Sequence, residues 1–328
     1  MIKIGSIELK SNVLLAPMAG VTDLPFRKTV RKFGQFLMYS EMVASQAVIR
    51  NVTRTRTMMD ADNDPYTAVQ LAGADPDVMA DAAKLSYELG AKILDINMGC
   101  PVKKIVKTDA GSALMKDEQL AQKIIKAVVN ATPLPVTLKI RLGWDSQHLN
   151  APNIARIAEA EGIKMVTVHA RTRSQLYSGN ADWLAVHNVR NAIKIPLIIN
   201  GDITNADKAK QAMSDSRADG VMIGRGSLGA PWLLHEIDCV LNNKTFKPLP
   251  DSEKLRVAKE HVTSVLNFYD EWTGFTLAKK VVAYYCKGRH NASKFRALMA
   301  DTSVTSVEQL HEVLDAAFSC LYFHVVVH

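Results

Sequence analysis

Eight short apolar segments recur along the first two thirds of the chain, each separated from the next by about one helix and two loops. They are Val13–Ala16, Phe36–Ser40, Thr67–Leu71, Ile93–Asn97, Val136–Ile140, Met165–His169, Leu197–Asn200 and Val221–Ile223. Between them, helical spacing marks Asp75–Leu89, Glu118–Ala131, Ile154–Glu161 and Asn205–Met213, and Asp75, Asn153 and Asn205 stand where N-caps belong. Apolar strands that alternate with helices build a parallel sheet covered on both faces. Eight of them predict an α/β fold, a closed (β/α)8 TIM barrel. A doubly wound sheet would place its glycine-rich loop after the first strand, where this chain reads A-P-M-A-G-V-T-D.

The strand pattern stops near Pro250. Leu255–Glu271, Thr276–Lys287, Ser293–Met299 and Val307–Cys320 then read as helices, and Asn242–Pro250, with two prolines, reads as a linker. The expected organisation is a barrel domain over 1–245 and an all-α helical domain over 251–328. The last residues, Phe323–His328, are apolar and without pattern. A chain of 328 residues with 48% hydrophobic and 22% charged residues is ordinary for a globular protein and holds no run long enough to cross a bilayer. Met1–Lys10 lacks a signal-peptide pattern, so the expectation is a cytoplasmic protein without a membrane or an obligatory protein partner. Four scattered cysteines, with no C-x-x-C pair, argue against a disulfide scaffold or a metal site.

Every expected strand from the third onward ends on or next to a polar or reactive residue: Gln70, Asn97 then Cys100, Lys139 then Arg141, His169 then Arg171, Asn200 then Asp202, and Arg225. In a barrel these ends share one rim, where barrel enzymes hold their chemistry. Cys100 sits in a Gly-Cys-Pro turn just past a strand and suits either a nucleophile or a proton donor. Lys139 and Arg141 share strand parity. A lysine facing into a barrel suits a Schiff base or a charge that stabilises an anionic cofactor ring; the bland alternative is an ion pair with Asp95 or Asp202. Gly224–Gly229 matches G-x-G-x-x-G after a strand and before a helix, yet lies at the last strand with acids too close for a dinucleotide fingerprint. With Asn200-Gly201-Asp202 it forms the two halves of a barrel phosphate site.

The formal charge of +7 is modest, but Lys279, Lys280, Lys287, Arg289, Lys294 and Arg296 follow one another without an acidic residue among them. One face of the helical tail is therefore expected to be basic.

Taken in order, A-P-M-A-G-V-T-D (16–23), V-Q-L-A-G (69–73), D-I-N-M-G-C-P (95–101), L-K-I-R-L-G-W (138–144), V-H-A-R-T-R (168–173), N-G-D-I (200–203) and M-I-G-R-G (222–226) resemble the tRNA-dihydrouridine synthases, closest to the bacterial B-type. The resemblance spans residues 1 to about 235, and the tail with A-Y-Y-C-K-G (283–288) looks like that family's RNA-binding domain. It implies an FMN enzyme that uses NADPH to reduce the C5–C6 bond of a D-loop uridine in tRNA, with position 17 suggested by the subgroup. It further implies that Ala16, Pro17 and Met18 lie along the flavin ring and that Gln70 bonds it. Lys139 would stand at its N1–C2 edge, and His169, Asn200, Gly201, Asp202, Gly224 and Arg225 would hold ribityl and phosphate. Hydride would pass from flavin N5 to uracil C6, with Cys100 giving a proton to C5. Asn97 would meet the base edge, with Arg171 and Arg141 assisting. Lys279, Lys280, Lys287 and Arg289, with Arg50, Arg54, Arg56, Lys103 and Lys104, are the expected contacts to RNA. A flavin barrel acting on free pyrimidines, a Schiff-base aldolase and a non-enzymatic tRNA binder are the rival readings.

Overall fold

Strand periodicity places the core, and the computed structural model, which describes residues 2–50, 59 and 64–319, shows how. The eight strands are present as β3 (Val13–Leu15), β4 (Met38–Tyr39), β6 (Thr67–Ala72), β7 (Ile93–Met98), β8 (Val136–Arg141), β9 (Met165–His169), β10 (Leu197–Asn200) and β11 (Gly220–Ile223). A short β5 (Val43–Ala44) extends the second position by pairing with β6. The sheet runs β3-β11-β10-β9-β8-β7-β6-β4. It closes where the Leu15 N–H donates to the Leu37 carbonyl at 2.9 Å and Leu14 bridges Leu37 in parallel. The result is the expected closed parallel barrel.

Alternate residues divide between two cores. Val136, Leu138 and Ile140 on β8, with Val166 and Val168 on β9, face the surrounding helices. Leu14, Leu37, Ile93, Met165, Ile198 and Met222 fill the barrel interior. A hairpin that the strand pattern did not reveal, β1 (Lys3–Ile4) with β2 (Ile7–Glu8), adds Ile2, Ile4 and Leu9 to that inner core. Each such fully buried side chain contributes about 1.5–3 kcal/mol. Further along the same inner faces the residues turn polar: Ile93 is followed by Asp95 and Asn97, Met165 by Thr167 and His169, Ile198 by Asn200. The apolar half holds the barrel together, and the polar half lies at its C-terminal mouth.

The outer helices are α1 (Leu24–Arg31), α2 (Ser45–Ile49), α3 (Pro76–Glu88), α4 (Lys103–Val106), α5 (Glu118–Ala131), α6 (Ala151–Ala160), α7 (Trp183–Ala192), α8 (Ala206–Ser216) and α9 (Leu233–Leu241). Asp75 caps α3 by accepting from Asp77 and Val78, and Asn205 caps α8 by accepting from Lys208 at 2.8 Å. Asn153 is no cap: α6 begins two residues earlier, behind Asn150, and the Asn153 amide oxygen accepts from Arg156 instead.

Helices α10 (Asp251–Phe268), α11 (Glu271–Tyr285), α12 (Ala292–Ala300) and α13 (Val307–Ser319) enclose a third core around Val262, Val265, Val282, Tyr285, Leu310 and Leu314. This bundle leans on α1 of the barrel. Lys32 pairs with Glu260 at 2.6 Å, and Phe26 packs 5.5 Å from His261. Burial pushes the His261 imidazole down to about 3, so it sits neutral in the seam. Among the described residues no helix is long and apolar enough to cross a membrane. Phe323–His328 lie outside the described residues.

Candidate active site

Because Leu94, Ile96, Leu138 and Ile140 pack outward, the intervening Asp95, Asn97, Lys139 and Arg141 project to the barrel interior and its mouth. There the amides form an ordered chain. Asp95 accepts from Gln70 Nε2 at 2.7 Å and from the Thr137 hydroxyl. Gln70 Oε1 accepts from Asn97 Nδ2 at 2.9 Å, and Asn97 Oδ1 accepts from the backbone N–H groups of Cys100 and Gly99 at 2.9 and 3.2 Å. A carboxylate at one end and two backbone donors at the other fix both amide orientations. Burial lifts Asp95 to about 6, against the bonds from Gln70 and Thr137 and the charge of Lys139.

Lys139 is 8% exposed and donates to Asn200 Oδ1 at 3.2 Å, while Asn200 Nδ2 donates to the Met222 carbonyl at 2.8 Å. Burial, aided by the neighbouring Arg141 charge, lowers its ammonium from 10.5 to about 8, with Asp95 pulling the other way. It still carries charge at neutral pH, and the Asn200 contact answers the expectation of an ion pair. His169 is driven well below 6.5 by burial and by the charges of Lys139, Arg141, Arg171 and Arg225. Arg171 Nη1 lies 3.4 Å from His169 Nε2, and Asp202, paired with both Arg171 and Arg225, offsets part of the positive charge around the ring.

Cys100 follows β7 in a half-buried turn, its carbonyl accepting from the Ser112 N–H and hydroxyl at 3.0 and 2.9 Å. Burial raises its thiol above 9.0, with Arg141 and Lys139 opposing. A thiol that stays protonated at neutral pH can donate a proton; it is poorly prepared to attack as a thiolate. Cys239 and Cys286 are buried in helical packing.

At the ends of β10 and β11, Gly201 takes φ +123° and Asp202 φ +56°, a turn that aims backbone toward the mouth. A Cβ on Gly224 would meet Ala16 Cβ at 3.6 Å and Met18 Sδ at 3.8 Å, so these three residues share one corner, with Pro17 and Met18 half-buried beside it. The G-x-G-x-x-G run does not lead directly into a helix. It forms a 3-10 turn, Arg225–Ser227, and α9 starts only at Leu233.

Arg171, 1% exposed, makes a bidentate pair with Asp202 at 3.0 and 2.6 Å and also donates to the carbonyls of Ser178 and Gly179. Arg141, equally buried, donates to the carbonyls of Gly99, Thr172 and Leu176 at 2.7, 2.9 and 2.9 Å. The structure therefore gives both guanidiniums loop-holding partners, although each was expected at the substrate. Arg225 is exposed and reaches Asp202 at 3.3 Å. Sequence reasoning missed Tyr177, whose ring lies 5.7 Å from the Arg141 guanidinium and 5.0 Å from that of Arg225. An aromatic residue within the polar run R-T-R-S-Q-L-Y-S-G after a rim strand was the available signal.

Several of the basic residues expected at RNA have partners within the fold. Lys279 donates to the carbonyls of Asp301 and Val304, Lys280 to that of Gly20, and Arg289 forms a pair with Asp251 at 2.6 Å. Lys287, Lys103, Lys104 and Arg50 are exposed, the last closing α2. Arg54 and Arg56 lie outside the described residues.

The sequence matches the dihydrouridine synthase family over residues 14–320, spanning barrel and helical bundle. The chain belongs to the dihydrouridine synthase family. It is 52% identical over 299 residues to a probable tRNA-dihydrouridine synthase of Rickettsia bellii, covering 90% of this chain and 92% of that one. It is 44% identical to tRNA-dihydrouridine synthase B of Pseudomonas syringae pv. tomato, over 90% and 89% of the two chains. The B-type resemblance expected from the motifs thus has counterparts among these relatives. Solved structures similar to the chain include a 2-naphthoyl-CoA reductase and a Rhizobium histamine dehydrogenase, each with TM-score 0.57 and 14% identity. They cover 74% and 80% of this chain, which spans only 52% and 50% of theirs, and they share its fold. A dihydrouridine synthase is an oxidoreductase, so the mouth described above is where this family member is to be read chemically.

Proposed function

We propose that the protein is a tRNA-dihydrouridine synthase that binds FMN in the barrel mouth, takes its reducing equivalents from NADPH and reduces the C5–C6 bond of a D-loop uridine, position 17, in cytoplasmic tRNA. The observation that supports this reading is the fixed Asp95–Gln70–Asn97 amide chain at the barrel mouth, beside the buried Lys139 on Asn200 and Arg171 at 3.4 Å from His169. That donor set fits FMN at both ends. A planar ring with carbonyl and N–H edges matches Gln70, Lys139 and the Ala16, Pro17 and Met18 corner. A phosphate matches the backbone turns at Gly201 and Gly224 with Arg225, flanked by Asn200, Asp202 and His169.

FMN, held by these residues, would supply the hydride for uracil C6, with NADPH as its reductant. Lys139 would place positive charge against the ring edge, where its burial would make an anionic partner more valuable. His169 stays neutral and offers a hydrogen bond without repelling the cations around it. Asn97 has committed its oxygen to the Gly99 and Cys100 N–H groups and one N–H to Gln70, which leaves its other N–H to serve a base carbonyl. Cys100 holds its proton on Sγ for delivery to C5. Arg141 and Arg171 hold the loop 172–179 through its carbonyls, and Arg171 also fixes Asp202.

The target carbon lies inside the folded tRNA, so the uridine must leave its stack to enter this mouth. Residues 1–245 form the catalytic domain in this reading, and 251–328 the RNA-binding domain. Lys287, Lys103, Lys104 and Arg50, all exposed, would meet phosphates, which position RNA without reading its sequence. The deciding experiment follows the visible spectrum of purified protein through anaerobic addition of NADPH and then unmodified tRNA. Yellow protein that bleaches with NADPH and recovers colour only with tRNA is the expected result. Colourless protein that takes up no added FMN would refute the reading.

A further inference from the structure

Two rim loops, one after β3 and one after β11, rest on the same helix of the C-terminal bundle. In the first, Gly20 at φ +69° donates its N–H to the Glu41 carboxylate and accepts from Lys280 Nζ at 3.0 Å. The loop ends at Asp23, whose Oδ1 caps α1 through the Phe26 N–H and whose Oδ2 accepts from the Tyr269 hydroxyl at 3.0 Å. Internal bonds tie these anchors to Met18. The Met18 N–H donates to the Thr22 hydroxyl at 2.9 Å, and the Thr22 N–H returns to the Met18 carbonyl at 3.0 Å. In the second loop, Gly229 takes φ +70°, and a Cβ there would lie 2.1 Å from the Tyr284 carbonyl oxygen. The α11 backbone occupies that space. Strands β3 and β11 are neighbours in the barrel, so α11 buttresses adjacent loops.

We infer that α11 is part of the cofactor site, with Lys280 a positioning residue for the Ala16–Gly20 loop and the Gly229–Tyr284 contact positioning the loop that carries Gly224 and Arg225. The inference rests on the proposed function, since those loops are the ones assigned to the flavin ring and phosphate. It moves Lys280 from the RNA surface to a strut: its ammonium meets a backbone carbonyl of the barrel, and it acts on the ligand through Gly20 and Met18. The helical bundle then serves the barrel's own ligand as well as RNA, and neither loop is held by the barrel alone.

The test uses full-length protein stripped of FMN, measuring FMN affinity by fluorescence quenching and the salt dependence of tRNA binding. Lys280→Met is expected to weaken FMN binding roughly 3–10-fold, the scale of one charge-assisted hydrogen bond at an exposed position. Lys280→Arg, which still reaches the carbonyl, should restore it, and Gly229→Ala should weaken it at least as much as Lys280→Met. The slope of log affinity for tRNA against log salt should not change in Lys280→Met. Unchanged FMN affinity in Lys280→Met, with a salt slope shallower by roughly 0.7–0.9, would make Lys280 a phosphate contact and overturn the inference. So would Lys280→Arg as weak as Lys280→Met. Wild-type protein that binds no FMN overturns the proposed function and the inference with it, whereas normal wild-type binding with unaffected variants overturns the inference alone.

Discussion

Replacing Lys139 by Met in FMN-free protein is expected to abolish a rise in stability at alkaline pH. The folded-state value of about 8 lies below the unfolded value of 10.5. Between those limits the unfolded chain binds the extra proton, so stability rises with pH across the window and the burial penalty is fully present below it. The gap of about 2.5 in pKa corresponds to about 3.4 kcal/mol, of which about 2.5 kcal/mol should be recovered by pH 10. Met fills a similar volume without the charge. It leaves Asn200 Oδ1 without the Lys139 donor, a loss of about 1–3 kcal/mol, but one independent of pH. Asp95, at about 6, is ionised throughout the window and does not contribute to the slope. The assay is urea unfolding of both proteins at pH 7, 8, 9 and 10. With urea slopes of about 2–3 kcal/mol per molar, the wild-type midpoint should gain about 1 M on the variant between pH 7 and 10. Parallel midpoints would refute the assignment of a destabilised buried ammonium. Under the proposed function, this ammonium would be the group that an anionic ligand relieves.

Two further substitutions separate chemistry from support. Cys100→Ala should bind FMN and accept electrons from NADPH normally while reoxidation by tRNA slows roughly 10²–10⁴-fold, as expected for a lost general acid; rapid-mixing kinetics of the two half-reactions would show it, and wild-type reoxidation would remove Cys100 from the mechanism. Arg171→Met should lower stability by about 3–5 kcal/mol, because Asp202 and two loop carbonyls lose a buried partner. Differential scanning calorimetry should place its Tm roughly 6–20 °C lower, and an unchanged Tm would return Arg171 to the substrate.

The barrel was legible in the sequence because its signal is local. Each strand is a short apolar run of its own, and the polar residues that end the strands need only a closed topology to meet. The hairpin β1–β2 was not legible: two-residue strands are too short for any period, and they exist because Ile2, Ile4 and Leu9 find the barrel interior. Asn153 was misread as a cap because helix ends depend on one or two residues of backbone geometry, which composition does not set.

Charge was the least legible property. The run from Lys279 to Arg296 is free of acids along the chain, yet Asp251, Asp301 and Gly20 approach it from other elements and engage Arg289, Lys279 and Lys280. Arg141 and Arg171 end strands as a substrate-binding residue would, and loop carbonyls and Asp202, which only the fold brings near, engage them as well. The sequence by itself determined which residues share the barrel rim, since strand parity and strand order are properties of the chain. Only the tertiary structure decided which of those groups remain free to act, because partners for buried cations and amides come from distant segments, and an unpaired polar group inside the fold is too costly to leave without one.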